Sequence, residues 1–342
     1  MERTRIGLRG ARGKRPTLSQ TRAGARAAFA LPLQHRIDES PGPIQHYSKV
    51  HSSATSIPSA LEAKKIPTYI TATDDRVPND WRLWVLCATG ILTVVGVFVV
   101  NAIKQPYPEW PAQWPEYFLF ADRRAFLKVA NFGDVMSNVP FLFTGAWGCF
   151  FIWRCQARRD GHIIAVWEKS AAFAMFFFII CTGIGSAYFH LQPNPDRLFW
   201  DRLPMAIVFM LFFAIVIGDR LSLDLGRRLL PVLVIIGVGS VVYWRWSEAR
   251  GVGDLRPFGI VQFFPMLAIP FLVVAYSPRY THSRSYVGIF GFYLLAKILE
   301  NRDPWVFSVL GETISGHSLK HLAAGCATWF MVDLFRKRRA LL

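Results

Sequence analysis

LWVLCATGILTVVGVFVVNAI, Leu83–Ile103, runs for twenty-one residues without one charged side chain. As a helix it rises about 30 Å at roughly 1.5 Å per residue, which matches the hydrocarbon thickness of a bilayer. The rest of the chain repeats that character. Of 342 residues, 52% are hydrophobic and only 18% charged, with 28 Phe and 12 Trp. Apolar runs predict eight spans at 83–103, 135–153, 170–190, 203–218, 229–244, 257–276, 286–301 and 314–335. Backbone amides in lipid must find their partners within the segment, so the spans are read as helices. The fourth and fifth runs are short and are expected to extend into their flanks. The fold class is therefore all-α, a polytopic membrane protein with no visible internal repeat.

The net charge of +16 does not make this a nucleic-acid binder. Much of it sits in the tails and short loops, where it orients membrane proteins. The first thirty-six residues carry nine Lys/Arg against the single Glu2. Residues 1–80 are expected to be a basic tail too poor in apolar surface to order itself, with some likeness to an organellar transit peptide. With the N-terminus inside, thirteen basic residues fall on the inner side, including Arg154, Arg220, Arg279 and the closing Arg336–Arg339, against ten outside. The expectation is a bacterial-type inner-membrane protein with both termini cytoplasmic and a basic C-terminal tail at 336–342. Trp110, Trp114, Trp200, Trp244 and Trp305 lie near span ends and read as interfacial anchors. The five cysteines show no CxxC spacing and read as small apolar residues.

Ionisable groups inside spans are costly and usually functional. Here they fall together. His190 ends the third span in GIGSAYFH, Asp201 opens the fourth in WDRLPM, and His317 and His321 open the eighth in SGHSLKHL. Alternating spans put all of these at the outer face. His317 and His321 are i and i+4, on one face of a helix, where two imidazoles reach one metal ion. A third imidazole from His190 leaves one coordination position open, the pattern of catalytic zinc. Ser186 stands one turn before His190, and a ten-residue loop with Pro193 and Pro195 returns Asp201 beside it. Ser186 read alone is a small residue for close helix packing, Asp201 alone a helix-start acid. Lys297 and Glu300, i and i+3 in the seventh span, read as an ion pair. Ser137 in DVMSNVPF lies at a depth that lets it join the site.

GxGSxxFH, an aspartate eleven residues later and a C-terminal HxxxH together resemble the alkaline ceramidase family, part of a wider group of seven-helix membrane hydrolases that includes the adiponectin receptors. The likeness covers about residues 131–335 and makes span 83–103 an extra helix on a seven-helix domain. It implies that His190, His317 and His321 bind zinc, that Ser186 stabilises an oxyanion and that Asp201 handles protons. It matches Ser137 to a serine of the family's first helix. The implied reaction is hydrolysis of the amide of ceramide-type lipids to a long-chain base and a fatty acid, the substrate arriving from the bilayer. The acidic, Trp-containing segment that binds calcium in the eukaryotic enzymes is matched only partly, by Asn131 and Asp134, which leaves calcium dependence without support. Lys320 stands where those enzymes usually carry an aromatic residue. Three other readings stay open: a hydrolase of another N-acyl or ester lipid, a receptor or scaffold with structural zinc, and a transporter using Lys297 and Glu300.

Overall fold

The computed structural model describes residues 80–103, 120–157 and 159–341, all within one unit of the chain, Glu62–Leu342. The basic segment expected at 1–80 lies outside them except for Asp80, as do Trp110 and Trp114. Among the described residues ten helices follow in order: α1 (Trp81–Ile103), α2 (Phe132–Met136), α3 (Val139–Arg154), α4 (Val166–Leu191), α5 (Pro195–Arg220), α6 (Leu223–Glu248), α7 (Arg256–Ala275), α8 (Ser285–Asn301), α9 (Asp303–Val309) and α10 (Gly316–Lys337). There is no strand among the described residues, only isolated bridges at Phe126–Val129 and Tyr280–Ala340.

Local chemistry sets the helix starts. Asn194 and Ser222 accept backbone N–H bonds from Arg197 and Leu225 and so cap α5 and α6. Proline stands in the first turn of α3, α5, α7 and α9, where its missing N–H costs nothing. The two runs expected to be short are 26-residue helices, α5 and α6, because capped polar turns prolong them at both ends.

Among the described residues six helical segments are long and apolar enough to cross a membrane: α1, α2 with α3, α4, α5, α6 and α7. The helices expected at 286–301 and 314–335 are present as α8 and α10, but neither has that composition and length. α8 is 17 residues long and carries Lys297 and Glu300; α10 carries His317, Lys320, His321 and Asp333.

α5 is the axis, with most of its surface buried against α4, α6 and α7. α10 packs on α8 and α3, while α1 touches only the outside of α7 among the described elements that make a substantial contact. Glycines make the close approaches. A Cβ on Gly148 would stand 2.2 Å from the Phe176 ring, and one on Gly185 would stand 2.1 Å from the Trp200 carbonyl oxygen. Small residues serve that purpose where lipid provides no hydrophobic drive. Trp200 and Trp305 are exposed, as interfacial anchors should be, but Trp244 is fully buried among Leu198, Met210, Val241 and Phe258. Its position near the end of α6 misled the sequence reading because α6 turns that face toward α5 and α7. No disulfide joins the cysteines, and only Cys155 is buried.

Candidate metal centre

The last turn of α4 and the first turns of α10 meet at one end of the bundle. Ser315 starts α10 by accepting the Ser318 N–H at 2.9 Å. Gly316 allows this start to press on the α8–α9 corner, since a Cβ there would lie 2.5 Å from the Leu299 carbonyl oxygen. Asp303, the first residue of α9, then accepts the His317 N–H at 2.8 Å and the Ala121 N–H at 2.9 Å. Asp134 receives the hydroxyls of Ser318 at 2.7 Å and Ser315 at 3.2 Å. Asn131, in the left-handed region at φ 48°, donates its side-chain amide to the His190 carbonyl at 2.7 Å.

This framing brings His190, His317 and His321 together. All three are buried, and one ring nitrogen from each lies within 4.8 Å of the others. Ring centroids are 4.8–5.0 Å apart. His190 Nε2 and His317 Nε2 are separated by 3.2 Å. Two nitrogens bound at roughly 2.0–2.1 Å to one tetrahedral ion would stand about 3.4 Å apart.

The neighbours set the ring tautomers. Ser137 Oγ has one hydrogen and lies 3.0 Å from the Asp134 carbonyl oxygen and 2.8 Å from His321 Nδ1. Donating to the carbonyl, it accepts from Nδ1–H, which leaves His321 Nε2 bare. An ammonium can only donate, so His317 Nε2, 2.9 Å from Lys320 Nζ, is bare as well. His190 Nδ1 has no hydrogen-bond partner among the described residues. Bare imidazole nitrogens, converging and out of water, are the donor set a metal ion takes, and hydrogen bonds on their far nitrogens orient such ligands. The three histidines could therefore hold a metal ion.

Ser137 thus touches the cluster directly, through His321. Ser186 and Asp201 are both buried and line the adjoining cavities, without a hydrogen bond to any of the three imidazoles. Gly185 explains their proximity: the ideal Cβ that would strike Trp200 lies 3.4 Å from the Asp201 amide nitrogen. Gly185 of GIGS brings α4 against α5 while Gly183 faces α3, and the serine comes with them. Asp201 pairs with Arg202 at 3.6 Å.

Two cavities open beside the cluster. The larger, about 500 Å³, is walled by His190, His317, Asp201, Lys297 and Glu300 together with Phe120 and Phe258. It lies between α7 and α8, which are bridged there by side chains such as Gln262 and Tyr293, whose amide and hydroxyl bond at 2.9 Å. The narrower, about 140 Å³, runs from Ser186 and His321 along apolar side chains including Phe212 and Met331.

Sequence reading missed several residues at this end. Phe120 packs its ring 4.7 Å from His190 and 4.3 Å from His317, yet it lies between the first two apolar runs and belongs to neither. Asp303 sits in a loop by sequence, and only its aspartate-proline start of α9 hinted at a cap. Asn138 bonds the Asp134 carbonyl at 2.8 Å and follows Ser137 directly. At the rim, the Arg124 guanidinium beside Asp122 holds that carboxyl below the usual range. The Lys297–Glu300 pair is present as expected, but Glu300 also binds Lys320 at 2.9 Å.

No known protein family model matches this chain, and a search of curated proteins finds no match either.

Proposed function

We propose that the chain is a zinc-dependent membrane amidohydrolase that cleaves the amide of ceramide-type lipids. In this reading α8 and α10 also cross the bilayer, giving a seven-helix bundle with α1 as an added helix, both termini inside and the site toward the outer face. The observation that carries the proposal is the convergence of three buried imidazoles beside a cavity that also holds a carboxylate and a hydroxyl. A structural zinc would need a fourth protein ligand, and no fourth His, Cys, Asp or Glu joins the group among the described residues.

His190, His317 and His321 would hold the ion. When bound, zinc supplies a Lewis acid that polarises the amide carbonyl and acidifies water. Ser137 keeps His321 in the tautomer that offers Nε2. Ser186 donates a hydrogen bond to the developing oxyanion, a contribution worth roughly 3 kcal/mol in comparable sites. Asp201 accepts a proton from water and delivers it to the nitrogen of the leaving amine. Phe120, Phe189 and Phe258 exclude water from the cavity, which strengthens each of these interactions. The narrow apolar cavity fits a hydrocarbon chain, and the side-chain-bridged seam between α7 and α8 gives a lipid a lateral way in.

The test joins metal analysis of the purified protein to fatty-acid release from a panel of N-acyl lipids. One zinc per chain with ceramide cleavage is expected. Asp201→Asn should retain zinc and lose hydrolysis; full turnover by that variant would remove the proton-transfer role. A protein that binds zinc and cleaves no lipid amide would leave the receptor reading standing.

A further inference from the structure

Two lysines share one carboxylate at the wall of the larger cavity. Lys297 Nζ bonds Glu300 Oε2, and Lys320 Nζ bonds Glu300 Oε1 at 2.9 Å. Glu300 is already matched by Lys297, so Lys320 is the surplus charge of the trio. The other ionised groups there are accounted for: Arg202 pairs with Asp201, and Asp303 is held by two backbone amides. Cations and carboxylates on this wall balance at three each (Arg202, Lys297, Lys320 against Asp201, Glu300, Asp303) before any ion is counted. A divalent ion held by neutral imidazoles would leave the cavity two charges in excess. Uncompensated charge inside a bilayer is expensive, so a ligand that brings negative charge is favoured there.

Lys320 is placed to meet it. Its side chain is about one-fifth exposed and lines both cavities, so the ammonium sits at their junction, 2.9 Å from a ring nitrogen of the metal centre. One of its three N–H groups goes to Glu300, and the one at His317 Nε2 would give way to an ion on that same lone pair, which leaves donors for a ligand. A hydrocarbon chain in the narrow cavity gains nothing from that donor. A polar group in the wide cavity does.

We infer that Lys320 makes this site select lipid amides whose amine half bears an anionic oxygen group, a carboxylate or a phosphate, beside the scissile bond. The inference rests on the hydrolase reading above and narrows its substrate class.

The test uses the full-length zinc-loaded protein in detergent with three substrates of one acyl chain: N-palmitoylglycine, ceramide 1-phosphate and ceramide. Either acidic amide should be cleaved with a higher kcat/KM than ceramide, and the arm that wins identifies carboxylate or phosphate. Lys320→Met should lower the acidic-to-neutral ratio by about tenfold to a hundredfold, the range for one charge-assisted hydrogen bond. Lys320→Arg should keep it. Binding of hexadecyl phosphate against hexadecanol, followed by calorimetry, should show the same loss in Lys320→Met, with zinc content checked in each variant. A ratio unchanged in Lys320→Met, or equal binding of hexadecyl phosphate, overturns the inference. Absence of any amide cleavage would instead defeat the hydrolase reading, and the calorimetric arm would still judge Lys320.

Discussion

α4 and α10 meet at both of their ends, and the two meetings are built from different chemistry. At one end His190 faces His317 and His321, uncharged groups with bare nitrogens turned toward one another. At the other, Glu168 in the first turn of α4 faces Arg338 just past α10, 3.6 Å apart and almost wholly buried. Between them Phe176 and Phe335 stack edge to face at 5.7 Å. The Arg338 guanidinium lies 3.9 Å from the Tyr280 ring and donates to the His162 carbonyl at 2.7 Å. Tyr280 in turn donates to Glu168 at 2.6 Å, and burial with that carboxylate raises its hydroxyl far above the usual tyrosine value. Of the expected C-terminal tail at 336–342, the described residues 336–341 are built in: the Arg339 carbonyl accepts the Thr281 N–H, Leu341 N–H reaches the Arg279 carbonyl, and Ala340 N–H reaches the Gly161 carbonyl. At the Arg338 end opposite charges answer each other within the chain: Glu168 Oε1 and Arg338 Nη2 have no hydrogen bond and meet as an ion pair at 3.6 Å. The histidine end leaves nitrogens bare, which is the condition for binding something else.

That contrast can be broken at either end. His321→Ala should bring metal content below about a tenth of the wild-type value, with the helices retained by circular dichroism; full metal content would mean the imidazoles do not act together. Arg338→Met should do the opposite. It strands a buried carboxylate, a loss of about 3–5 kcal/mol, read as a lower melting temperature in detergent with metal stoichiometry intact.

Smaller changes test the parts between. Gly185→Ala forces a methyl group against the Trp200 carbonyl, where overpacking costs about 1–3 kcal/mol. It should cut hydrolysis by displacing Asp201 while the three histidines still bind metal. Ser137→Ala removes the group that fixes His321 and should weaken metal affinity about 10–100-fold, measured by chelator competition, with melting little changed. Smallest is Thr144→Val, which breaks the Thr144–Thr328 bond of 2.8 Å midway along α10. A polar bond of that kind is worth about 0.6 kcal/mol in a membrane helix pair, so both ends should behave as in the wild type.

The histidine centre was legible because its chemistry is local and rare. An i, i+4 pair fixes two ligands on one helix face, and alternation of apolar runs puts a third at the same depth. The Arg338 end was not legible as structure, because RKRR reads as a solvated cationic tail wherever it stands. Only the meeting with Glu168, 170 residues earlier, converts one of those arginines into a buried partner.

Length and apolarity alone determined that this chain is helical with segments fit to cross a membrane, since only helices and closed barrels satisfy backbone amides in lipid and its apolar runs are too long for strands. They also placed the long helices, though α5 and α6 extend beyond the expected runs and α9 was not foreseen. Tertiary structure alone decided which polar residues face one another: that Trp244 is core, that Asp303 and Ser137 hold the histidine helix, and that Lys320 shares Glu300 with Lys297. The reason is that an apolar run fixes the depth of a residue in the bilayer but not the direction in which it points around the helix axis, and direction comes only from the neighbouring helices that pack against it.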